Sequence, residues 1–279
     1  DLKAVTASDS NEDRFVGPSQ WMPHGRVFGG QVLAQSLVAA NRTVEQRNVH
    51  SMHGYFLRPG DIELPVEYSV DRLRDGRSFS TRRVQAFQKD EPIFSMIASF
   101  QVDDPGLEHQ DAFPKDMPDP ETLPSAADLI GDNPHPVAQY WANARPFDMR
   151  HVPSPIYFSV EGKPVAHQAV WIRSLGEMPD DDTLHVAALA YASDYSILES
   201  IYRRHSIPWS HPGLKSASLD HAMWFHRPAR VDQWMLYAQE SPSAQGGRGL
   251  ALGRIFNTRG ELLATVAQEG MVRIPEVRK

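Results

Sequence analysis

Two stretches of the chain show the same succession of hydrophobic patterns. Residues 32–40 are apolar on most sides of a helical projection, which predicts a helix buried all round. Apolar and polar residues then alternate over residues 64–70 and again over 94–102, the period expected of strands with one buried face. The polar breaks at 75–76 and 89–92 predict turns between strands. We therefore expect a buried helix followed by an antiparallel meander.

The second half of the chain repeats this order. Residues 184–198 predict another mostly apolar helix, and strands are predicted at 234–239, 250–256 and 262–268. The residues at 257–260, Asn-Thr-Arg-Gly, supply a hairpin turn between the last two strands.

Between the halves lies an acidic segment crowded with proline. Proline blocks helix interiors and cannot donate to a strand ladder, so residues 103–150 are expected to form a linker. Residues 125–130 fit a short helix inside it. This predicts a first unit over residues 1–102 and a second over 151–279.

An ungapped comparison at a shift of 169 positions relates the two units. It places FLRP at 56–59 on FHRP at 225–228, Tyr68 on Tyr237 and Phe87 on Phe256. Residues 93–94 fall on 262–263. The alternative is two unrelated α+β halves with a similar rhythm of strands. A helix wrapped by an antiparallel sheet is the hotdog arrangement, so the predicted fold class is α+β, a double hotdog with its two sheets side by side.

Composition narrows the possible functions. The 279 residues are 41% hydrophobic and 23% charged, with a net charge of −7 and no cysteine. A non-specific nucleic-acid binder needs a basic surface, so we expect no nucleic-acid partner. Absence of cysteine excludes thiolate nucleophiles and zinc–thiolate sites. No apolar run approaches the roughly 18 residues of a membrane span, and the first residues show no signal-peptide pattern, so we expect a cytoplasmic protein.

Histidines and arginines are the remaining candidates for chemistry. His50, His53, His221 and His226 lack metal-ligand spacing, and neither H-E-x-x-H nor G-x-S-x-G occurs, so core or interface roles are expected and no metal. A basic group on the hairpin after residue 70 includes Arg72, Arg74 and Arg77. These side chains could bind phosphates bidentately, or could form a solvated hairpin edge.

Several strings of residues now resemble one family. They are VFGGQ at 27–31, HSMHGYFLRPGD at 50–61, SDY at 193–195, LDHAMWFHRP at 219–228 and VAQEG at 266–270. In this order they closely resemble the type II (TesB-like) acyl-CoA thioesterases. The resemblance covers nearly the whole chain outside the linker.

The resemblance implies a double hotdog that hydrolyses fatty acyl-CoA to free acid and CoA, with water as nucleophile and no cofactor. The family's catalytic residues fall on Asp194, Ser218 and Gln268, all in the second half. Many members carry threonine where this chain has Ser218. The resemblance also implies a homodimer or higher homo-oligomer.

Thioester hydrolysis needs an aimed water, a base and donors for the oxyanion. Asp194, in apolar surroundings, would have a raised pKa and serve as the base, while Gln268 and Ser218 hold the water or orient the carboxylate. For substrate binding, we expect Gly29 and Gly30 to serve packing or to line the acyl pocket.

Met223, Trp224 and Phe225 are further candidates for the acyl pocket, with plain core as the alternative. Arg72, Arg74 and Arg77 are the candidates for the CoA phosphates. Two other functions remain open. One is a non-catalytic acyl-CoA binder, and the other is a hotdog-type enoyl-CoA hydratase using Asp220 and His221.

Overall fold

A computed structural model describes residues 2–5 and 13–275. Their strands form one antiparallel sheet in the order β1-β2-β4-β5-β6-β3-β10-β13-β12-β11-β8-β7, with β9 added beside β13. The strands are β1 (Lys3–Val5), β2 (Asp13–Gly17), β3 (Asn48–Phe56), β4 (Val66–Asp75), β5 (Phe79–Gln88), β6 (Glu91–Gln101), β7 (Phe147–Val152), β8 (His167–Ser174), β9 (Lys215–Ser218), β10 (Asp220–Phe225), β11 (Met235–Gln245), β12 (Arg248–Asn257) and β13 (Leu262–Arg273). The helices are α1 (Gly29–Asn41), α2 (Ala126–Ile130), α3 (Pro136–Gln139), α4 (Asp182–Ser193) and α5 (Glu199–Arg204).

The sheet has an internal two-fold pattern. The order β2-β4-β5-β6-β3 of the first half is mirrored by β10-β13-β12-β11-β8, and the halves join where β3 pairs with β10. Each half carries its long helix before the strands at this join. The predicted duplication and side-by-side sheets are therefore present in the topology.

The residue correspondence between the two halves changes by one position at their last hairpin. The Arg58 guanidinium donates to the carbonyl of Pro92, and Arg227 donates in the same way to Leu262. Pro92 thus corresponds to Leu262, a shift of 170, so the placement of residues 93–94 on 262–263 was wrong by one position. The difference lies in the turns. β5 and β6 join through Lys89 and Asp90, both at positive φ, whereas β12 and β13 join through a longer turn.

The helices α1 and α4 pack against each other on one face of the sheet and run in opposite directions. The N-terminal end of α1 at Gly30 approaches Tyr191 near the C-terminal end of α4, while Asn41 at the other end of α1 bonds Thr183. Fully buried residues such as Leu33 and Ala190 fill this helix-facing side.

The second helix is shorter than its sequence predicts. We expected a helix through residue 198, but α4 ends at Ser193, and residues 194–198 form turns before α5. The Ser193 hydroxyl lies 2.8 Å from the carbonyl oxygen of Ala190, and the Tyr195 N–H donates to the carbonyl of Ala192, only three residues earlier. Short polar side chains compete with the helical ladder in this way. Asp194 therefore caps the helix instead of lying within it.

The proline-rich segment lies along the second half of the sheet. Phe113 packs against Trp171 and Phe256, and Trp171 donates its indole N–H to the carbonyl of Pro118. The end predicted at residue 150 falls inside β7 (Phe147–Val152). In the described ranges, none of the helices combines the length and apolarity needed to cross a bilayer.

Candidate active site

The site begins where the C-terminal end of α4 meets the N-terminal end of α1. Asp194 is the C-cap of α4, and its carboxylate accepts the backbone N–H of Gly30. Helix α1 has no side-chain cap of its own at Phe28 and no acidic residue in its first turn. Because a helix N-terminus carries unsatisfied N–H groups and partial positive charge, Asp194 supplies the anion that this end lacks.

Two glycines make this approach possible. A Cβ on Gly29 would lie 2.6 Å from Oδ2 of Asp194, and one on Gly30 would lie 2.3 Å from the carbonyl oxygen of Tyr191. Any side chain at either position would push the two helix ends apart. From the sequence, both glycines were expected to serve packing or to line the acyl pocket. In the structure they lie directly against Asp194 and Tyr191.

Ser218 and Gln268 reach the same carboxylate from two neighbouring strands. Ser218 ends β9 and pairs with Gly270 of β13, two residues beyond Gln268. The Ser218 hydroxyl lies 3.4 Å from Oδ1 of Asp194, and Nε2 of Gln268 donates to the Ser218 Oγ at 2.7 Å. The Gln268 amide also bonds the Asp194 carboxylate. The three side chains that the resemblance singled out therefore converge.

Burial raises the pKa of Asp194 to about 7, against its ordinary 3.8. The hydrogen bonds from Gln268, Gly30 and Ser218 act in the opposite direction, since they stabilise the carboxylate. The expected apolar surroundings thus account for the direction of the shift. Asp194 also remains partly accessible, so it can exchange protons with water near neutral pH.

A second layer of hydrogen bonds continues behind the trio. His221, which is fully buried, has its Nδ1 against Oε1 of Gln268 and its Nε2 at 2.9 Å from the Ser193 hydroxyl. Burial lowers the pKa of His221 to about 4, so the imidazole is neutral at working pH. From the sequence, His221 was expected in a core or interface role. In the sequence, only the position of His221 opposite Gln268 on the neighbouring strand could have indicated its contact with Gln268.

Asp220 does not share this environment. Its Oδ1 accepts the backbone N–H of Glu269 at 2.7 Å, whereas His221 bonds Gln268 and Ser193. Neighbouring strand residues point to opposite faces, so these two side chains diverge. The Asp–His arrangement that the hydratase alternative requires is therefore not formed.

The same alternation divides the three predicted lining residues of β10. Met223 is fully buried, with its Sδ 3.3 Å from the Ser193 hydroxyl, so it lies near the trio. Trp224 is 37% exposed and packs its ring on His53, on the other face of the sheet. Phe225 lines a cavity of about 330 Å³ near Asn41, at the far end of α1. The expectation that all three line one pocket is therefore corrected: of the three, only Met223 contacts the residue before Asp194.

Aromatic rings form the other wall of the site. Phe28 stacks on Tyr195 at 4.6 Å between ring centroids and meets the edge of Tyr191 at 5.1 Å. Phe28 precedes Gly29 and its ring lies against Gly30, and Tyr195 follows Asp194, so this cluster lies where the two helix ends meet. These rings were not predicted as site residues, because aromatic residues in a helix and a loop are most often core.

The predicted phosphate-binding arginines lie elsewhere. Arg72 forms an ion pair with Asp13 at 2.9 Å, and the hairpin that carries Arg74 and Arg77 lies near Thr43, beyond the C-terminal end of α1. A helix of 13 residues is about 20 Å long, which separates this hairpin from Asp194. Binding of CoA phosphates there stays a prediction.

The described residues of the first half carry no copy of the trio. The internal symmetry puts Val49 where the second half has Ser218, and Ala98 where it has Gln268. At the other end of α1, the hydrogen bond of Asn41 to Thr183, 2.9 Å long, is the symmetry-related counterpart of the contact between Asp194 and Gly30. Within residues 13–275, the symmetry-related place therefore has valine, alanine and asparagine instead of the trio.

Comparison with known proteins agrees with this geometry. The family model of acyl-CoA thioesterases matches residues 143–271, and that of the acyl-CoA thioesterase N-terminal domain matches residues 17–101. Human acyl-coenzyme A thioesterase 8 is 42% identical over 96% of this chain and 87% of its own length.

Two solved structures extend the comparison to the fold. The acyl-CoA thioesterase II TesB2 of Mycobacterium marinum superimposes with a TM-score of 0.79 at 42% identity, over 100% of this chain and 97% of that one. A hot dog fold protein from Alicyclobacillus acidocaldarius, 20% identical, gives a TM-score of 0.77 over 99% and 96% of the two chains and so supports the fold. The predicted double hotdog and the predicted enzyme class, an acyl-CoA thioester hydrolase, are confirmed. The chain belongs to the type II acyl-CoA thioesterase family.

Proposed function

We propose that this chain hydrolyses fatty acyl-CoA to free fatty acid and CoA, using a water molecule held between Asp194, Gln268 and Ser218. The observation that carries the proposal is the convergence of these side chains on a carboxylate whose pKa lies near 7. A general base works best when its pKa is close to the operating pH.

The reaction balances with the groups present. Asp194 takes a proton from water as the water oxygen attacks the thioester carbonyl carbon, forming a tetrahedral oxyanion. Once Asp194 has taken the proton, the N–H groups of Gln268 and of the N-terminal end of α1 that held its carboxylate become the donors for the developing negative charge. The intermediate collapses with cleavage of the C–S bond, and the CoA thiolate receives the proton from Asp194.

The surroundings of Asp194 favour an apolar acyl group. Phe28, Tyr191 and Tyr195 form a wall on one side, and buried Met223 lies near the trio on another. Curated relatives bear the name acyl-coenzyme A thioesterase, which supports CoA as the leaving group.

Release of free thiol tests the proposal directly. A thiol reagent such as DTNB reports CoA release without background from the protein, because the chain contains no cysteine. We expect wild-type protein to release thiol from a series of saturated acyl-CoA substrates and Asp194→Asn to be nearly inactive. Binding of acyl-CoA without thiol release would favour the non-catalytic binder instead.

Assembly into a homodimer is a further part of the proposal. The outer face of the sheet at the join of the halves exposes apolar side chains, including Tyr55 (63%), Ile97 (48%) and Trp224 (37%). Ile97 and Trp224 flank His53 on paired strands, so they form one patch. Contiguous apolar patches of this kind mark interaction surfaces. Light scattering should give twice the chain mass, and Ile97→Lys should reduce it to the monomer mass. A monomeric wild-type protein would contradict this assignment.

A further inference from the structure

The contact between His221 and Gln268 has a chemical consequence for the trio. Both side chains are buried, and they lie side by side because Ala222 pairs with Ala267 across β10 and β13. Oε1 of Gln268 meets Nδ1 of His221, while Nε2 of Gln268 turns toward Ser218 and Asp194.

The two ends of a glutamine amide have the same shape and opposite hydrogen-bonding roles. With its NH2 group toward Asp194, Gln268 donates to the carboxylate. After a 180° flip it would present an oxygen to that carboxylate, and the two acceptors would repel. The site as assembled therefore requires one of the two amide orientations.

A neutral imidazole can enforce that orientation, since one ring nitrogen donates and the other accepts. If Nδ1 of His221 carries the proton, it donates to Oε1 of Gln268. Nε2 then accepts the single hydroxyl proton of Ser193 across 2.9 Å, in place of the Ala190 carbonyl, which lies 2.8 Å from the same hydroxyl. The flipped amide would instead bring its NH2 group against this N–H donor. Burial keeps the imidazole neutral by lowering the pKa of His221, so the arrangement persists through the working pH range.

The first half of the fold shows that no polar pair is needed here for folding. Met52 and Ala98 are direct strand partners at the corresponding positions, and both are fully buried. A methionine and an alanine thus satisfy the same packing position between sheet and helix. The histidine–glutamine pair occurs in the half that carries Asp194.

We propose that His221 is a positioning residue, whose Nδ1–H fixes the Gln268 amide with its NH2 group toward Asp194 and Ser218. This inference rests on the proposed function, since it assigns a role within the same site. His221 acts through Gln268 and does not itself contact the water or the thioester.

A matched pair of variants separates donation from packing. Asparagine and leucine branch alike, but the asparagine at position 221 can place an N–H near the site of Nδ1. We expect His221→Leu to lower kcat about a hundredfold with KM nearly unchanged, as for loss of one catalytic donor. His221→Asn should recover most of this loss. His221→Met, copied from Met52, provides a second apolar variant with a packing precedent in this chain.

The pH profile gives a readout that a packing role would not move. The Gln268 hydrogen bond lowers the pKa of Asp194, so the acidic midpoint of kcat/KM should rise in His221→Leu and return in His221→Asn. The other groups facing Asp194 are the Gly30 N–H and Ser218, with the Tyr202 and Tyr237 hydroxyls at longer range. Burial raises the pKa of both tyrosines, so they stay uncharged during the assay.

Each outcome decides the inference. Nitrogen-15 NMR of wild-type protein should show the Nδ1–H tautomer at His221, and the Nε2–H tautomer would overturn the proposal. Wild-type turnover in the leucine and methionine variants, or equal loss in all three variants with an unmoved pH midpoint, would also overturn it. Such results together with an inactive Asp194→Asn variant would leave the proposed function standing, whereas an active Asp194→Asn would remove both.

Discussion

Replacing Asp194 with asparagine should lower turnover by orders of magnitude and stabilise the fold at neutral and alkaline pH. Asparagine keeps the shape of the side chain and removes its titration. Burial raises the folded-state pKa to about 7 from the ordinary 3.8, so between these values the folded protein holds a proton that the unfolded chain has released. The contribution of Asp194 to the free energy of unfolding is therefore fully present below pH 3.8 and is lost as the pH rises through 7.

The magnitude follows from the size of the shift. A difference of about 3 pKa units at 1.36 kcal/mol per unit gives an upper limit of about 4 kcal/mol. The stability of Asp194→Asn relative to wild type should grow by this amount at most between pH 4 and pH 8 and then level off. The rate should fall by about 10²–10⁴, the usual contribution of a general base.

Thermal unfolding followed by circular dichroism at pH 4, 6 and 8, with thiol release measured on the same samples, checks both effects. Asp220→Asn is the matched control for activity, because the Asp220 carboxylate accepts a backbone N–H and does not reach the trio. We expect that control to retain turnover. A stability difference that does not change with pH, or more than a tenth of the wild-type rate in Asp194→Asn, would refute the reasoning.

Three further substitutions test neighbouring parts of the account. Gly29→Ala would place a Cβ 2.6 Å from Asp194 Oδ2, so kcat should fall by about 10–100-fold as the carboxylate shifts, and unchanged kinetics would contradict this close approach. Ser218→Thr keeps the hydroxyl and should retain most activity, whereas Ser218→Ala should lose about tenfold in kcat. If the alanine variant turned over as fast as the threonine variant, the Ser218 hydroxyl would have no role in the reaction. Glu199→Gln removes a buried carboxylate whose Oε2 lies 3.0 Å from Nε2 of His151 and also accepts from Gln168. The loss should cost about 3 kcal/mol of stability by denaturant unfolding, while an unchanged midpoint would show that the carboxylate contributes nothing.

The sequence predicted the frame of the molecule because its main elements depend on local patterns. Helix α1 is apolar on most sides and is buried, and the alternation through residues 94–102 matches β6. The repeat of Phe-x-Arg-Pro marks the ends of β3 and β10, where Arg58 and Arg227 make equivalent hydrogen bonds to the neighbouring strand. Local periodicity and turn chemistry were sufficient for these assignments.

The site was predictable only through family resemblance, and its supporting contacts were not predictable at all. Asp194, Ser218 and Gln268 are far apart in sequence, and periodicity cannot show that they meet. The contact of Asp194 with Gly30 depends on two helices from different halves packing in opposite directions. Trp224 was misplaced because its strand had not been divided into two faces, although alternation would have separated it from Met223.

The end of α4 shows a different limit. Hydrophobic pattern continues past Ser193 into residues 194–198, so the sequence predicts one long helix. The break depends on side-chain hydrogen bonds of Ser193 and on the tight Tyr195–Ala192 turn. That break points the Asp194 carboxylate at the start of α1, so the error in the helix boundary concealed the most important contact of the site.

The central claim is that Asp194 activates a water molecule and does not itself attack the thioester. Single-turnover hydrolysis of an acyl-CoA in water enriched in oxygen-18, followed by mass spectrometry of both products and protein, tests it most directly. Direct attack by water should put one labelled oxygen in the released fatty acid and none in the peptide that contains Asp194. Label in the Asp194 carboxylate would show a covalent acyl intermediate on that residue and would contradict the account.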